Sequence, residues 1–319
     1  MQFAIWGAGA VGLGLANALA RENTRLGLIG RDPETRGAIQ KAGIKRTGLF
    51  GDRHAPPESL AWLDDPAQLL DAPPEWLLIC VKAHATEAIA RALEPHAEAL
   101  AKTTRLVLCQ NGWGNEAPLL PFWPRERLFH GRVITGFHRR EPHHVEVTAH
   151  AAPIAVGSIF DRDDPRIAQL TAAIDQGGLP AAHVPEMRRV LWAKMLYNCA
   201  LNPLGALTRR RYGELVADAV TRKLVDQVIR EVFAVLSAAQ IEVDWTGADA
   251  YLTFFHDELI PPTAEHESSM LQDLQAGRTT EIEALCGAVE QLGRSHEVET
   301  PVVSSLAALV RTVSGNSRE

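Results

Sequence analysis

Mainly apolar runs of strand length recur along the first half of the chain, several of them followed by amphipathic stretches. Such runs begin at residue 2 and lie over residues 25–30, 76–81 and 105–109. Helical patterns follow the first and third of them, over residues 13–21 and 85–100. Mainly apolar runs are typical of strands that are buried on both faces. Their alternation with helices predicts a parallel sheet with helices packed on its faces.

The first apolar run ends in a glycine pattern, Gly7-x-Gly9-x-x-Gly12, where the first helical pattern begins. In this spacing the first glycine permits a tight turn, the second lets backbone approach a pyrophosphate, and the third lets helix and strand pack closely. The helix N-terminus then faces the anion. A second strand follows, which favours a dinucleotide site over a plain glycine-rich turn. We expect the loop residues to form it: Gly7, Ala8, Gly9, Ala10, Val11 and Gly12.

The end of the second strand indicates which dinucleotide is bound. In an NAD site a carboxylate binds the ribose 2′-hydroxyl, whereas in an NADP site an arginine suits the 2′-phosphate. Here Arg31 occupies this position, and its planar guanidinium can bind a phosphate with two donors. Asp32 comes one residue late and, with Pro33, is typical of a helix start. The sequence therefore favours NADP(H).

The character of the chain changes near residue 185. Three strand-like pieces at residues 132–135, 145–148 and 154–156 lack long helices between them, which predicts antiparallel additions at the sheet edge. Beyond that point the chain has long helical patterns and no convincing strand. These patterns cover residues 188–201, 218–240 and 281–297. We expect an α/β protein with an N-terminal Rossmann-type doubly wound sheet over residues 1–185, which binds NADP, and a C-terminal all-helical, substrate-binding domain over residues 186–319.

Composition removes several other classes of protein. The net charge is −7, so no basic field is present to hold nucleic acid or an anionic membrane. No apolar run approaches membrane-spanning length, and the strand at residue 2 leaves no room for a signal peptide. We expect a cytoplasmic protein with reduced thiols, because the cysteines are scattered singly. We expect no metal site, because the histidines form no ligand pattern. The four cysteines stand singly, at Cys80, Cys109, Cys199 and Cys286.

A polar stripe marks the first long helical pattern of the second domain. Lys194, Asn198 and Asn202 are spaced four residues apart, so they lie along one side of a helix whose other residues are mainly apolar. Such a stripe either faces a polar pocket or consists of buried groups that pair among themselves. We favour a ligand-binding row, because a lysine and carboxamides suit a carboxylate and a carbonyl. Pro203 should end or kink this helix.

A second polar cluster begins near Ser269, which could be a helix cap or a ligand-binding residue. After Gly277, the pair Thr280 and Glu283 is typical of a capping box that starts a new helix. Glu281 would then lie in the first turn and be held anionic by the helix dipole. Stabilisation of the helix alone could explain this carboxylate.

The motifs along the chain, and the order in which they occur, resemble those of the ketopantoate reductase (2-dehydropantoate 2-reductase) family. The resemblance spans nearly the whole chain, and the last two motifs are the most specific. Its marks are Gly7-x-Gly9-x-x-Gly12, Val81-Lys82, Gln110-Asn111-Gly112, Lys194-x-x-x-Asn198-x-x-x-Asn202-Pro203-Leu204, and Ser268-Ser269-Met270-Leu271-Gln272-Asp273 with Gly277-Arg278-x-Thr280-Glu281-Ile282.

The resemblance implies NADPH-dependent reduction of 2-dehydropantoate to pantoate, in pantothenate and coenzyme A biosynthesis, by hydride transfer to the 2-carbonyl. It makes Lys194 the catalytic proton donor, with Glu281 at the reacting centre. It assigns the substrate to Asn111, Asn198, Asn202 and Ser269, and it adds Arg31, Lys82, Asn111 and Glu281 to the cofactor contacts. The implied partner is a small 2-oxo acid, bound by a monomer or homodimer.

The chain also departs from the family pattern. Tyr212 precedes Gly213-Glu214-Leu215, where the best-known members place an asparagine against the substrate. Beyond Val81-Lys82, the segment Ala83-His84-Ala85 lacks the polar residue that is often found three positions on. Three alternatives stay open: a paralogous NADPH-dependent reductase of another 2-oxo acid, a non-catalytic NADPH-binding regulator, and an oxidoreductase of the 6-phosphogluconate or opine type. The intact polar stripe argues against the second, and the Ser269 to Glu281 motif argues against the third.

Overall fold

The computed structural model describes residues 1–21, 25–160 and 164–315. Its strands are β1 (Phe3–Trp6), β2 (Leu26–Ile29), β3 (Ile44–Gly48), β4 (Arg53–Ala55), β5 (Leu60–Leu63), β6 (Trp76–Ile79), β7 (Arg105–Leu108), β8 (Leu128–Arg132), β9 (Thr135–Glu141), β10 (His144–His150), β11 (Ile154–Gly157) and β12 (Ala181–His183). Its helices are α1 (Ala10–Leu19), α2 (Pro33–Ala42), α3 (Thr86–Leu93), α4 (Ala97–Leu100), α5 (Arg166–Gln176), α6 (Met187–Thr208), α7 (Tyr212–Ala217), α8 (Ala219–Ala238), α9 (Ala248–Phe254), α10 (Ser269–Gln275), α11 (Ala288–Ser295) and α12 (Pro301–Val313).

The chain forms two compact units. The N-terminal unit comprises Met1–Gln110 and Asn115–Met187, and it contains all twelve strands. The C-terminal unit comprises Arg188–Glu319 together with the short loop Asn111–Gly114, which follows β7 along the chain. No helix in the described ranges is both long and apolar enough to cross a membrane.

An eight-stranded sheet organises the N-terminal unit, in the order β12-β11-β8-β7-β6-β1-β2-β5. Its neighbouring strands are parallel except for β11 and β8. Successive residues of β1 enter different cores, since Ile5 belongs to one cluster and Ala4 to the other. Both faces of the sheet are therefore covered, which explains the mainly apolar strands. The predicted α/β class, with a doubly wound sheet and a helical C-terminal region, is confirmed.

A second sheet of four strands was not anticipated. Its order is β4-β3-β10-β9, with β10 parallel to β3 and antiparallel to β9. The prediction of antiparallel additions to the main sheet is correct for β11 and for Arg132, which ends β8 and pairs with Ala155 of β11. It is wrong for residues 145–148 and for Thr135, which belong to β10 and β9 of the second sheet. The second sheet packs against α1 through Phe137 of β9. The contact is close, since a Cβ at Gly14 would lie 2.4 Å from the Phe137 ring.

Helices α6 to α12 build the C-terminal unit around a separate apolar core. Of the two predicted effects of Pro203, an end or a kink, the first does not occur, since helix α6 continues to Thr208. Proline removes one backbone hydrogen bond, but Leu201 and Leu204 on either side of it are buried in the core. Burial of two leucine side chains contributes about 3–6 kcal/mol, which offsets the roughly 3 kcal/mol cost of an internal proline.

The predicted capping box at Thr280 is wrong. The Oγ1 atom of Thr280 is buried and has no hydrogen-bond partner among the described residues. The Glu283 carboxylate instead accepts hydrogen bonds from Arg311 at 2.7 and 3.0 Å. Regular structure begins with a π-helical turn over Glu283–Gly287, so Glu281 precedes it rather than lying in the first turn of an α-helix. Dipole stabilisation in a first helical turn therefore does not explain this carboxylate.

Candidate active site

Two glycines of the N-terminal loop are required by the backbone itself. Gly7 has a φ of +114°, and a Cβ there would lie 2.8 Å from the carbonyl carbon of Cys80. A Cβ on Gly12 would lie 1.8 Å from the carbonyl oxygen of Gly7. Any larger residue at either position would force the turn between β1 and α1 to open. Both glycines thus hold the shape of the loop.

Gly9 plays a different part, because it faces open space. It is exposed, and a Cβ there would meet no described atom within 4 Å. Gly9 is also the N-cap residue of α1, where no side chain caps the helix. The first N–H groups of α1 therefore lie beside open space that a side chain at residue 9 would enter. This arrangement fits the pyrophosphate of a dinucleotide.

Further candidate cofactor residues follow neighbouring parallel strands at the same edge of the sheet. Strand β1 pairs with β2 and with β6, so Gly7, Arg31 and Lys82 all follow carboxyl ends of adjacent strands. The Arg31 side chain is exposed and makes no hydrogen bond to a described residue. Its guanidinium can bind a phosphate without first breaking a contact within the protein.

Asp32 is the N-cap of α2, as predicted. Its carboxylate accepts hydrogen bonds from the Glu34 N–H at 3.1 Å and from the Thr35 hydroxyl. Arg139 of β9 adds a contact at 3.4 Å. The Thr35 hydroxyl, the Glu34 N–H and Arg139 together hold the pKa of Asp32 below its ordinary value against a smaller opposing effect of desolvation. These donors occupy the carboxylate, which leaves Arg31 as the group at the strand end that can meet a ribose phosphate.

A lysine, an amide and a carboxylate form a hydrogen-bonded chain in the C-terminal unit. The Lys194 Nζ atom donates to Asn111 Oδ1 at 2.6 Å. The Asn111 Nδ2 atom donates to Glu281 Oε2 at 3.0 Å. The amide of Asn111 thus turns its oxygen to the ammonium and its N–H to the carboxylate. Glu281 is only 6 % exposed, so these bonds stabilise a buried charge that would otherwise be costly.

The loop that carries Asn111 is fixed by its own neighbours. The Trp113 N–H donates to the Ala284 carbonyl at 2.8 Å, and the Trp113 ring lies 5.1 Å from the Trp192 ring. Gly112 has a φ of +98°, and a Cβ there would lie 2.4 Å from the Ala284 oxygen. The glycine therefore lets the loop approach the segment that follows Glu281. This approach brings together residues that are far apart in the sequence.

The predicted polar stripe lies within a single helix, α6. Asn198 is 8 % exposed, and its side chain makes no hydrogen bond to a described residue. Asn202 is 5 % exposed, and its Oδ1 atom accepts a hydrogen bond from the Tyr212 hydroxyl at 2.7 Å. The Asn198 side chain is thus not engaged by a described residue, whereas Asn202 is partly engaged by Tyr212.

Of the two neighbouring serines at the start of α10, it is Ser268 that contacts Asn202. Ser268 is the N-cap of α10, and its Oγ donates to the Asn202 carbonyl at 2.9 Å. Ser269, the predicted ligand-binding residue, is exposed at the start of α10 and makes no hydrogen bond to a described residue. The two segments therefore meet through Ser268. Sequence reasoning missed Ser268 and the contact of Tyr212, although the unusual Tyr212 was a signal that this corner of the site differs.

No group of histidine, cysteine, aspartate or glutamate residues suitable for a metal ion occurs among the described residues. The groups that could act on a ligand are instead a glycine loop of the dinucleotide-binding type and a helical unit with a lysine linked to a carboxylate. This is the plan of a two-domain oxidoreductase.

Comparison with models of known protein families shows to which family of oxidoreductases the chain belongs. Residues 3–159 match the model described as ketopantoate reductase PanE/ApbA, and residues 186–314 match the model of the ketopantoate reductase C terminus. The 2-dehydropantoate 2-reductase of Aquifex aeolicus is 32 % identical over 98 % of this chain and 96 % of its own. The chain belongs to the ketopantoate reductase family, as the sequence motifs predict.

Solved structures agree with this assignment. The 2-dehydropantoate 2-reductase of Geobacter metallireducens is 28 % identical, with a TM-score of 0.85 over 98 % of this chain and 99 % of that one. D-mandelate dehydrogenase, solved with NADH and anilino(oxo)acetate, is 22 % identical, with a TM-score of 0.82 over 99 % of both chains. The second likeness is one of fold alone.

Proposed function

We propose that the protein reduces 2-dehydropantoate to pantoate with NADPH, as a step of pantothenate and coenzyme A biosynthesis. The observation that carries the proposal is the hydrogen-bonded chain from Lys194 through Asn111 to Glu281. It holds one proton donor in a fixed direction within a protein that belongs to the ketopantoate reductase family. A lysine so placed suits the reduction of a carbonyl group.

The N-terminal unit would bind the cofactor. Gly9 and the N-terminus of α1 offer N–H groups and space for the pyrophosphate, and Arg31 offers a guanidinium for the 2′-phosphate. Ala8 lies in the same turn, Ala10 and Val11 begin α1, and Lys82 follows the adjacent strand. When bound, NADPH supplies a hydride to the 2-carbonyl carbon. D-mandelate dehydrogenase has been solved with NADH on a similar fold, so the preference for NADPH must come from side chains such as Arg31.

Lys194 would act on the carbonyl oxygen. As the carbon gains the hydride, negative charge grows on the oxygen, and the Lys194 ammonium stabilises it and then transfers a proton to it. The Nζ atom regains its proton from solvent afterwards. Asn111 and Glu281 keep the ammonium in position, since Asn111 accepts from Nζ while Glu281 accepts from Asn111. This chain stabilises the protonated lysine before the reaction.

Neutral donors would hold the rest of the substrate. Asn198, Asn202 and Ser269 can donate to a carboxylate or a hydroxyl without drawing Lys194 into a permanent ion pair. No described residue accepts a hydrogen bond from the side-chain nitrogens of Asn198 and Asn202. We assign residues 1–185 to NADP binding and residues 186–319 to substrate binding. We expect a cytoplasmic monomer or homodimer, and the net charge of −7 argues against binding to nucleic acid or to an anionic membrane.

A second candidate is the reduction of another branched 2-oxo acid. Tyr212 favours it, because a buried phenol that binds Asn202 stands where the best-known members of the family have a substrate-binding asparagine. The rest of the proposed chemistry would be unchanged.

Steady-state oxidation of NADPH against a panel of 2-oxo acids tests the proposal. We expect 2-dehydropantoate to give the highest kcat/KM, with 2-oxoisovalerate and pyruvate as smaller comparisons. A higher kcat/KM for another acid would establish the second candidate. NADPH binding without turnover of any acid would overturn both and indicate a regulator.

A further inference from the structure

Tyr212 makes a contact that the proposed reaction does not use. It is the first residue of α7 and is 6 % exposed. Its hydroxyl donates to Asn202 Oδ1 at 2.7 Å. Burial, aided by the nearby Tyr197, raises the pKa of Tyr212 far above its ordinary value. The phenol therefore stays protonated and remains a hydrogen-bond donor.

The Tyr212 hydroxyl fixes the direction of the Asn202 amide. If that amide were turned over, Nδ2 would face the phenol, and the phenolic proton would need another acceptor. The nearby Ser268 Oγ is a poor one, because it already accepts from the Met270 and Leu271 N–H groups at 3.1 and 3.4 Å. The single Ser268 proton goes to the Asn202 main-chain carbonyl at 2.9 Å. The Tyr212 hydroxyl is thus the donor that holds the amide oxygen on the protein side.

The opposite end of the Asn202 amide is left for a ligand. No described residue accepts a hydrogen bond from Nδ2. Tyr212 itself has little freedom, since its N–H donates to the His266 carbonyl at 3.1 Å and its ring packs edge-on against Tyr197 at 5.7 Å. A rigid donor behind the amide makes Asn202 a one-way donor toward the ligand.

We propose that Tyr212 is a positioning residue that commits Asn202 to donate to the carboxylate of the substrate, and so selects 2-oxo acids over neutral 2-oxo compounds. The inference rests on the proposed function. The phenol delivers its hydrogen bond to the protein rather than to the substrate. Recognition then depends on one amide of fixed direction.

The first test is Tyr212→Phe, which removes the hydroxyl and keeps the ring contact with Tyr197. With the best 2-oxo acid, KM should rise about 3–10-fold, as expected for loss of a single hydrogen bond, while kcat and the Kd for NADPH stay within about twofold. The matched control is Tyr197→Phe, whose hydroxyl donates to Thr263 at 2.9 Å and should leave KM unchanged. Thermal unfolding of each variant establishes that it is folded.

A neutral substrate analogue separates positioning from a structural role. The wild-type protein should prefer the 2-oxo acid over its 2-oxo carboxamide, because a carboxamide offers only one acceptor and no charge. In Tyr212→Phe the Asn202 amide can turn over, so this preference should fall about 3-fold or more. In an Asn202→Ala background the further change Tyr212→Phe should leave KM within about twofold. An unchanged preference, or an equal loss of affinity in both backgrounds, would overturn the proposal.

Asn202→Asp provides a second variant, which keeps an acceptor for the Tyr212 hydroxyl. It replaces Nδ2 with oxygen, so KM for the 2-oxo acid should rise about 100-fold or more without loss of thermal stability. An unchanged KM would contradict the proposal even if Tyr212→Phe failed to fold. If the wild-type protein reduces no 2-oxo acid, the proposed function fails. If it does so but neither variant changes KM or preference, only this inference fails.

Discussion

The two units build their candidate sites from different material. In the N-terminal unit the loop from Gly7 to Gly12 offers backbone N–H groups and the space where side chains are missing. In the C-terminal unit the site is a set of side chains joined by hydrogen bonds, such as the chain from Lys194 to Glu281. The first kind of site is local in sequence, whereas the second depends on segments brought together by folding. Substitutions should therefore act differently in the two units.

Lys194→Ala should have the largest effect on turnover. Loss of a general acid typically costs about 10²–10⁴-fold, so kcat on the best 2-oxo acid should fall by that factor. The Kd for NADPH, measured by fluorescence titration, should stay nearly unchanged, because the proposed cofactor loop is in the other unit. Lys223→Ala, at an exposed lysine of α8, is the control. Wild-type kcat in Lys194→Ala would remove this residue from the mechanism.

The next largest effects should be on substrate binding, in the variants Asn202→Ala and Ser269→Ala. A hydrogen bond to a charged group contributes about 1.5–3 kcal/mol, so KM should rise roughly 10–100-fold for Asn202→Ala. If the contact strengthens in the transition state, kcat should fall as well. Steady-state kinetics of the folded variants measure both. Unchanged kinetic constants in both variants would mean that these segments do not form the substrate site.

Arg31→Ala should change cofactor preference within the N-terminal unit. Loss of the contact to the 2′-phosphate should raise the Kd for NADPH about 10–100-fold and leave the Kd for NADH nearly unchanged. Glu34→Ala, at an exposed residue of α2, is a control for general effects on this edge. Equal weakening of both cofactors would contradict the assignment to NADPH.

Gly9→Ala should have a smaller and less selective effect. The φ and ψ angles of Gly9, −82° and −173°, suit any residue, so the protein should keep its thermal stability. A methyl group in the open space beside Gly9 should weaken the binding of NADPH and NADH alike, by about tenfold. Gly37→Ala, which also meets no described atom within 4 Å, should change neither affinity. Undiminished binding in Gly9→Ala would place the pyrophosphate elsewhere.

Local patterns explain what the sequence could predict. Strands β1 and β2, the Asp32 cap of α2 and the helical second half follow from short-range periodicity and turn chemistry. The second sheet could not be predicted in this way, because β10 pairs with β3 about 100 residues earlier, in the register Val145 to Arg46. Pairing of distant strands leaves no local signal.

The candidate site was predictable to a similar degree. The stripe of Lys194, Asn198 and Asn202 is visible because its members share one helix. The capping box was wrong because Arg311, 28 residues away, binds Glu283. The contact of the Ser268 hydroxyl with the main-chain carbonyl of Asn202 spans 66 residues. Only folding determines which of several possible partners such groups choose.

The proposed function depends on transfer of a hydride from NADPH to 2-dehydropantoate. The most direct measurement uses NADPH deuterated at each face of the nicotinamide C4 in turn, with 2-dehydropantoate as acceptor and mass spectrometry of the product. Hydride transfer predicts one deuterium at C2 of pantoate from one of the two labelled cofactors and none from the other. Pantoate formed without deuterium from either cofactor, or binding of NADPH with no pantoate formed, would overturn this function.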